Sequence, residues 1–150
     1  RTIRRRLDIR SVSFLDLWSE GQHLFEDHCR ELEDSRVAFL PDNNRYLSLD
    51  DLDMLITLGA YIDGHMIGYS VSVIYRHGHF DEILATNDSL YVDPSYRRGP
   101  IGWKLILSTE KSAQECGVSR MLWTAKCNSN LDMLLSKRRE QVSSVFSKEF

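Results

Sequence analysis

The residue types best suited to chemistry gather in one stretch: Ser89-Leu90-Tyr91-Val92-Asp93-Pro94-Ser95-Tyr96-Arg97-Arg98-Gly99-Pro100-Ile101-Gly102-Trp103-Lys104-Leu105. An apolar run that stops at Asp93-Pro94 reads as a strand end, because proline cannot donate to a ladder. A loop with two arginines and two glycines follows, and then a helical pattern begins. Such a junction turns the unsatisfied N–H groups of a helix start outward, at the positive end of its dipole, and suits an anion. Gly99 and Gly102 let a ligand approach the backbone. Pro100 fits a first helical turn, where its missing N–H costs nothing. The plain alternative is a strand-to-helix turn with solvated arginines, since lone glycine patterns are weak signals.

Other clusters carry less. His77-Gly78-His79-Phe80-Asp81 sets three polar residues on one strand face, but no further ligand lies nearby. A polar hairpin rim is therefore expected and no metal site. His23 and His28 miss the i,i+4 spacing of a helical metal pair. Arg4-Arg5-Arg6 could touch phosphates, yet a solvated terminal strand is expected because the rest of the domain is acidic. Cys127 lacks the basic surroundings of a nucleophile. Trp18, Phe25, Trp103 and Trp123 read as core, although Trp103, one residue past Gly102, could border a ligand.

These residues must be held by a scaffold, and the patterning supplies one. Ile3, Leu7 and Ile9 alternate weakly as a strand. Phe14, Leu17/Trp18, Gly21, Phe25, Cys29 and Leu32 recur at helical spacing, capped by Ser11 or Ser13 and ending near Asp34. Pro41 to Asn44 is a loop, and Ser48 to Asp51 predicts the start of a short helix over residues 49–57. Ala60-Tyr61-Ile62, the turn pair Asp63-Gly64 and the run 66–75 predict a hairpin. Strands at 83–92 and 119–126 flank a helix at 101–115 that Gly117 closes. A helix at 131–135 and a final strand at 142–146 complete the order β-α-α-β-β-β-α-β-α-β. This is one α/β domain over residues 1–150 with a mixed sheet. The crossover helix makes the strands at 83–92 and 119–126 parallel.

Length and composition agree with a single ordinary domain: 150 residues, 42% hydrophobic and 27% charged. A net charge of −3 argues against a dedicated nucleic-acid binder, even though residues 1–10 alone carry +4. Three cysteines without a CxxC pair, no signal-peptide pattern and no apolar run of membrane length predict a reduced, cytoplasmic protein.

The stretch 89–105 resembles motif A of the GNAT superfamily of N-acetyltransferases: a strand ending LyV-x-P, an R/Q-x-x-G-x-G/A loop, then a helix. Arg97-Arg98-Gly99-Pro100-Ile101-Gly102 occupies the loop, in a form similar to small phage-encoded members. Asp63-Gly64-His65-Met66-Ile67-Gly68 resembles the family's dGe.vG hairpin, Gly117-Val118 precedes the next strand as in the family, and Asn128 stands where an asparagine often follows the fifth strand. The resemblance covers residues 60–150, and the first 60 match in element order only.

The resemblance implies the GNAT acyltransferase fold and transfer of an acetyl group from acetyl-CoA to an amine. It implies that the coenzyme A pyrophosphate meets Arg97, Arg98, Gly99, Ile101 and Gly102, with Trp103 and Asn128 nearby. A backbone N–H near Leu90, Tyr91 and Val92 would meet the oxyanion. Asp88, or Glu82 upstream, would be the base that takes the amine proton; the two share a strand face if no bulge intervenes. Two positions depart from the pattern. Pro100 replaces a glycine that gives an N–H to the pyrophosphate, and Leu135 replaces a tyrosine that often protonates the thiolate, with Arg139 in place of a nearby glycine. They motivate an alternative: a catalytically silent GNAT-fold binding or host-interaction protein. The acceptor, a small molecule or a protein or peptide amine, would lie among the helices at 12–34 and 49–57 and the 75–82 rim, where Glu31, Glu33 and Asp53 would suit a cation. An exposed strand at 142–148 could pair in a homodimer.

Overall fold

A computed structural model describes residues 5–32 and 41–150. The strands are β1 (Leu7–Ser11), β2 (Leu55–Ile62), β3 (His65–Arg76), β4 (Ile83–Val92) and β5 (Arg120–Leu122). The helices are α1 (Phe14–Glu31), α2 (Asn43–Asp51), α3 (Ile101–Glu115) and α4 (Asn130–Ser136). The sheet runs β1-β2-β3-β4-β5. Its first four strands are antiparallel. β5 joins β4 in parallel, Leu84 opposite Arg120 and Thr86 opposite Leu122. The parallel crossover expected from the helix between these strands is present.

The sheet is covered on both faces. α1 seals one with Phe14, Leu17 and Leu24 against Met66, Tyr69, Val71 and Tyr91. α3 seals the other with Ile101 and Leu105 against Leu58, Ala60, Ile67 and Val92. Of the two candidate caps, Ser13 starts α1, its Oγ accepting from the Asp16 N–H at 3.1 Å. Asp63 and Gly64 both have positive φ, 52° and 77°, the geometry of a two-residue hairpin turn. Among the described residues, no helix is long and apolar enough to cross a membrane.

Three expectations are corrected. The second helix occupies Asn43–Asp51, capped by Asp42, and not 49–57. Leu55 and Ile56, read as its apolar face, begin β2, where all eight residues are buried; a continuous apolar run has no period that separates strand from helix. Strand pairing at 119–126 is confined to Arg120–Leu122. No strand forms at 142–148, where Val145 and Phe146 are 84% and 91% exposed. That segment finds no partner edge, and the basis for pairing copies through it is gone. Residues 1–4, with Ile3 of the expected N-terminal strand, lie outside the described residues.

Both inner ladders slip by one residue. In β2–β3, Ala60 faces Gly68 and Tyr61 faces Met66. In β3–β4, Val71 faces Ser89 but Ser72 faces Asn87, so Asp88 is the extra residue of a bulge. Gly68, opposite Val92 and next to the β2–β3 slip, is required by close packing. A Cβ there would stand 2.9 Å from the Tyr91 carbonyl oxygen and 3.3 Å from Leu105. Backbone on one side and the α3 core on the other leave nothing to yield. Gly68→Ala is expected to cost about 1–3 kcal/mol as an overpacked core site, read as a fall of about 3–10 °C in melting temperature. Gly78→Ala, whose Cβ meets nothing within 4 Å, should melt like the wild type.

Candidate active site

The site follows from the unequal lengths of β4 and β5. Pairing ends at Thr86 and Leu122, so β4 continues to Val92 with one edge free. The Asp93 N–H donates to Ile67 O on β3 at 2.8 Å. Alternation along an extended strand then turns the N–H groups of Leu90 and Val92 toward the free edge. A cleft of about 1170 Å³ opens there, bounded by α1, α2, β4, the loop into α3, residues 124–131 and α4.

The bulge sets which side chains face the cleft. Tyr91 packs against α1, and simple alternation would send Asp88 to the opposite face. The extra residue restores it: Asp88 Oδ2 accepts from the Tyr46 hydroxyl of α2 at 2.7 Å. Asn87, buried, fixes the bulge from beneath. Its Nδ2 stands 3.1–3.3 Å from Ser72 Oγ, Val71 O, Ser89 O and Ser70 Oγ. Burial and the bond to Asp88 push the Tyr46 phenol up to about 12.

The α1 wall is tied to the end of β4 by Arg97. Its guanidinium grips both Glu31 oxygens at 2.7 and 2.9 Å, donates to Val92 O at 2.7 Å and lies over the Tyr91 ring. Tyr91 also donates to Glu31, and burial pushes its phenol up to about 12. His28 stacks on Tyr91 at 4.7 Å, with Nδ1 2.6 Å from the Tyr69 hydroxyl. Burial lowers the His28 pKa below the ordinary imidazole value; Glu31 opposes that shift and Arg97 adds to it.

At the other wall α3 begins on Pro100 without a side-chain cap. The first intrahelical bond runs from the Lys104 N–H to Pro100 O at 2.9 Å. The N–H groups of Ile101, Gly102 and Trp103 therefore have no acceptor within the helix. A Cβ on Gly99 or Gly102 would meet nothing within 4 Å, and both residues line the cleft. Trp103 carries the Arg138 guanidinium 4.4 Å above its ring. Arg139 also lies over this ring, at 5.0 Å, and donates to Glu110 at 2.5 Å, which accepts as well from Trp123 Nε1.

The cleft thus gathers Asp88, Leu90, Tyr91, Val92, Arg97, Gly99, Gly102 and Trp103. Arg98 is exposed outside its lining, and the Ile101 side chain is buried under α3, which leaves only its N–H. Asn128 sits at positive φ of 62° with its N–H on Asp132, while its neighbours Ser129 and Asn130 line the cleft. Glu82 is not brought to the site. It lies just before β4 in an ion pair with Arg120 at 3.2 Å. It shares a strand face with Asp88, because the register is regular up to Asn87, but stands roughly 20 Å away along the strand. The 75–82 rim is likewise outside the lining, as is Asp53; Glu33 lies outside the described residues. No group of three or more His, Cys, Asp or Glu that could hold a metal occurs among the described residues. Sequence reasoning missed Tyr46, His28, Lys126, Ser129 and Arg138. Tyr46 stands between the loop expected at 41–44 and the helix expected at 49–57, and Arg138 follows a helix whose reach was not evident from its period.

A long strand left unpaired past Thr86 thus stands beside a helix whose first amides have no helical acceptor. The Acetyltransferase (GNAT) family model matches residues 15–134, and the chain belongs to that family. No curated protein matches it. Among solved structures it resembles the ribosomal-protein-alanine N-acetyltransferase from Brucella melitensis biovar Abortus 2308, at 20% identity and TM-score 0.75, covering 97% of this chain and 99% of that one. It also resembles an aminoglycoside acetyltransferase, meta-AAC0020, from an uncultured soil metagenomic sample in complex with sisomicin, at 23% identity and TM-score 0.73, with 96% and 97% covered. The aminoglycoside N-acetyltransferase AAC(6')-Iy in complex with CoA aligns at 16% identity and TM-score 0.70, with 95% and 99% covered. These likenesses establish the mixed-sheet GNAT fold.

The half-buried His28 makes stability pH-dependent in a definite direction. Its folded pKa is lowered from 6.5, so the unfolded chain takes up this proton first as pH falls. Stability from this group is complete above 6.5 and declines as pH drops through that value. Between about pH 7.5 and about pH 5.5, on either side of an ordinary imidazole, the wild-type melting temperature should fall further than that of His28→Gln.

Proposed function

We propose that this chain is an acetyl-CoA-dependent N-acetyltransferase that moves the acetyl group directly to an amine within a ternary complex. The observation that carries the reading is the pairing of free amides at α3 with the Asp88 carboxylate, on the two walls of one cleft. Acetyl-CoA supplies an activated acetyl thioester. The residues present fit it despite Pro100: the N–H groups of Ile101, Gly102 and Trp103 lack acceptors, and the space before Gly99 and Gly102 is open. Those amides would take the pyrophosphate. The free-edge N–H groups of Leu90 and Val92 are the chain's donors for a developing oxyanion.

Asp88 is the residue for proton removal. Tyr46 holds Oδ2, which leaves the other carboxylate oxygen to accept a proton from the acceptor's ammonium. Leu135, buried at 8% exposure, cannot protonate a thiolate, so that proton comes from solvent or another group. Arg97, engaged with Glu31, orients the α1 wall.

Coenzyme A at 100 times its dissociation constant should stabilise the fold by about 2.7 kcal/mol, a rise of roughly 5–10 °C in melting temperature. Gly102→Glu should abolish that rise. The unliganded variant should melt no lower than wild type, because a carboxylate near a helix N-terminus adds ~0.3–1 kcal/mol. Wild-type coenzyme A affinity in Gly102→Glu would remove the loop from the site. Asp88→Asn should keep the rise and lose roughly 10²–10⁴-fold in kcat, the worth of a general base. An unchanged kcat would remove Asp88 from the mechanism.

A further inference from the structure

The cleft has two chemically unlike halves. The half beside α3 and α4 carries free amides and the cations Arg138 and Lys126. The half beside α1 and α2 is walled by rings: Tyr46 stacks on Phe14 at 5.0 Å, Phe14 on Trp18 at 6.5 Å, Trp18 meets Phe25 at 5.2 Å, and Phe25 meets Tyr69 at 4.3 Å. All five line the cleft, and Asp88 stands at the end of this chain on the Tyr46 hydroxyl.

From this we infer, resting on the acetyl-transfer reading above, that the acceptor is a small monoamine on an aromatic or otherwise apolar skeleton. Charge carries the first part. The described lining holds two acids, Glu31 and Asp88, against three bases, Arg97, Lys126 and Arg138. Glu31 is closed by the bidentate Arg97 contact. Among the described residues one carboxylate is left for one ammonium, with the Tyr46 ring beside it. A polyamine or aminoglycoside would bring further ammonium groups to a lining whose other charges, apart from the Glu31–Arg97 pair, are positive, and like charges repel.

The second part is the body of the molecule. Phe14 and Tyr69 are core at 3% and 1% exposure, and the partly buried Tyr46, Trp18 and Phe25 offer the aromatic surface that favours a flat partner. The ring wall offers no free main-chain edge among the described residues, because the open edge of β4 faces the β5 side. A peptide acceptor would bury its own N–H and C=O groups without partners there. An aryl-alkyl amine has none to satisfy.

The test titrates the coenzyme A-loaded protein with 2-phenylethylamine, spermidine, neamine and a tetrapeptide with a free N-terminus, following tryptophan fluorescence and heat. Acetyl transfer to each is assayed in parallel. The aryl amine should bind and be preferred over each competitor by roughly 100-fold, the scale at which a pocket of this kind discriminates. Trp18→Leu should weaken the aryl amine about tenfold, as expected for one lost aromatic contact, while the coenzyme A melting shift is unchanged. Phe25→Leu replaces it if Trp18→Leu fails to fold. Preference for spermidine, neamine or the peptide, no binding of the aryl amine, or indifference to both ring variants overturns the inference. Preferred transfer to a polycation would do so while leaving the acetyltransferase reading intact. Aryl-amine binding without transfer to any amine would sink that reading and leave the pocket assignment standing.

Discussion

The Asn87 side-chain amide is the contact on which the geometry of the site depends. A bulge frees main-chain groups that a regular ladder would pair, and burying them unpaired costs about 1–3 kcal/mol each. Asn87 covers the gap with two amide hydrogens shared among Val71 O, Ser89 O and the hydroxyls of Ser70 and Ser72. Thr109 of α3 extends the network, its Oγ1 2.9 Å from Ser70 Oγ and bonded to Leu105 O at 2.7 Å. The bulge is thereby fastened to the face that α3 covers, and Asp88 is delivered to the face that α1 and α2 cover. A regular β4 would put Asp88 and Tyr91 on opposite faces; the extra residue sets both on the face of the ring wall.

The splay and the bulge act together. Because β5 pairs with only Leu84 to Thr86, the far half of β4 presents main-chain donors at its edge and Asp88 on one face. Arg97 then closes the end of the cleft, and its value is positional. An exposed ion pair contributes about 0–1 kcal/mol, but this guanidinium also holds Val92 O and covers Tyr91. Two negative wall groups are thus separated in function: Glu31 is neutralised, and Asp88 stays available beside the rings.

Much of this was legible in the residues, for identifiable reasons. Asp63-Gly64 and the Asp93-Pro94 stop carry local backbone requirements, and each appears where those requirements place it. The parallel β4–β5 pair follows from an amphipathic helix of crossover length. Less legible were features set by tertiary contact. Leu55 and Ile56 are buried on both faces of a strand and have no period, so they read as helix. Asp88 could be placed on its strand but not on its face, because the extra residue shows only against Val71 and Ser72 of the neighbouring strand. Tyr46 and Arg138 reach the cleft from separate segments, and no spacing in the chain joins either one to Asp88 or Trp103. At 142–146 the apolar residues suggested a strand, yet without a partner edge they remain exposed.

The central claim is that the Asn87-held bulge makes Asp88 the base. The direct measurement is kcat of folded Asn87→Leu at saturating acetyl-CoA, with the dissociation constant for coenzyme A measured on the same preparation. Loss of the amide should let β4 regularise and turn Asp88 from the ring wall, lowering kcat by roughly 10²–10⁴-fold, the range for a removed general base. The coenzyme A affinity should be unchanged, because the α3 amides do not depend on the bulge. A wild-type kcat in that variant would contradict the account.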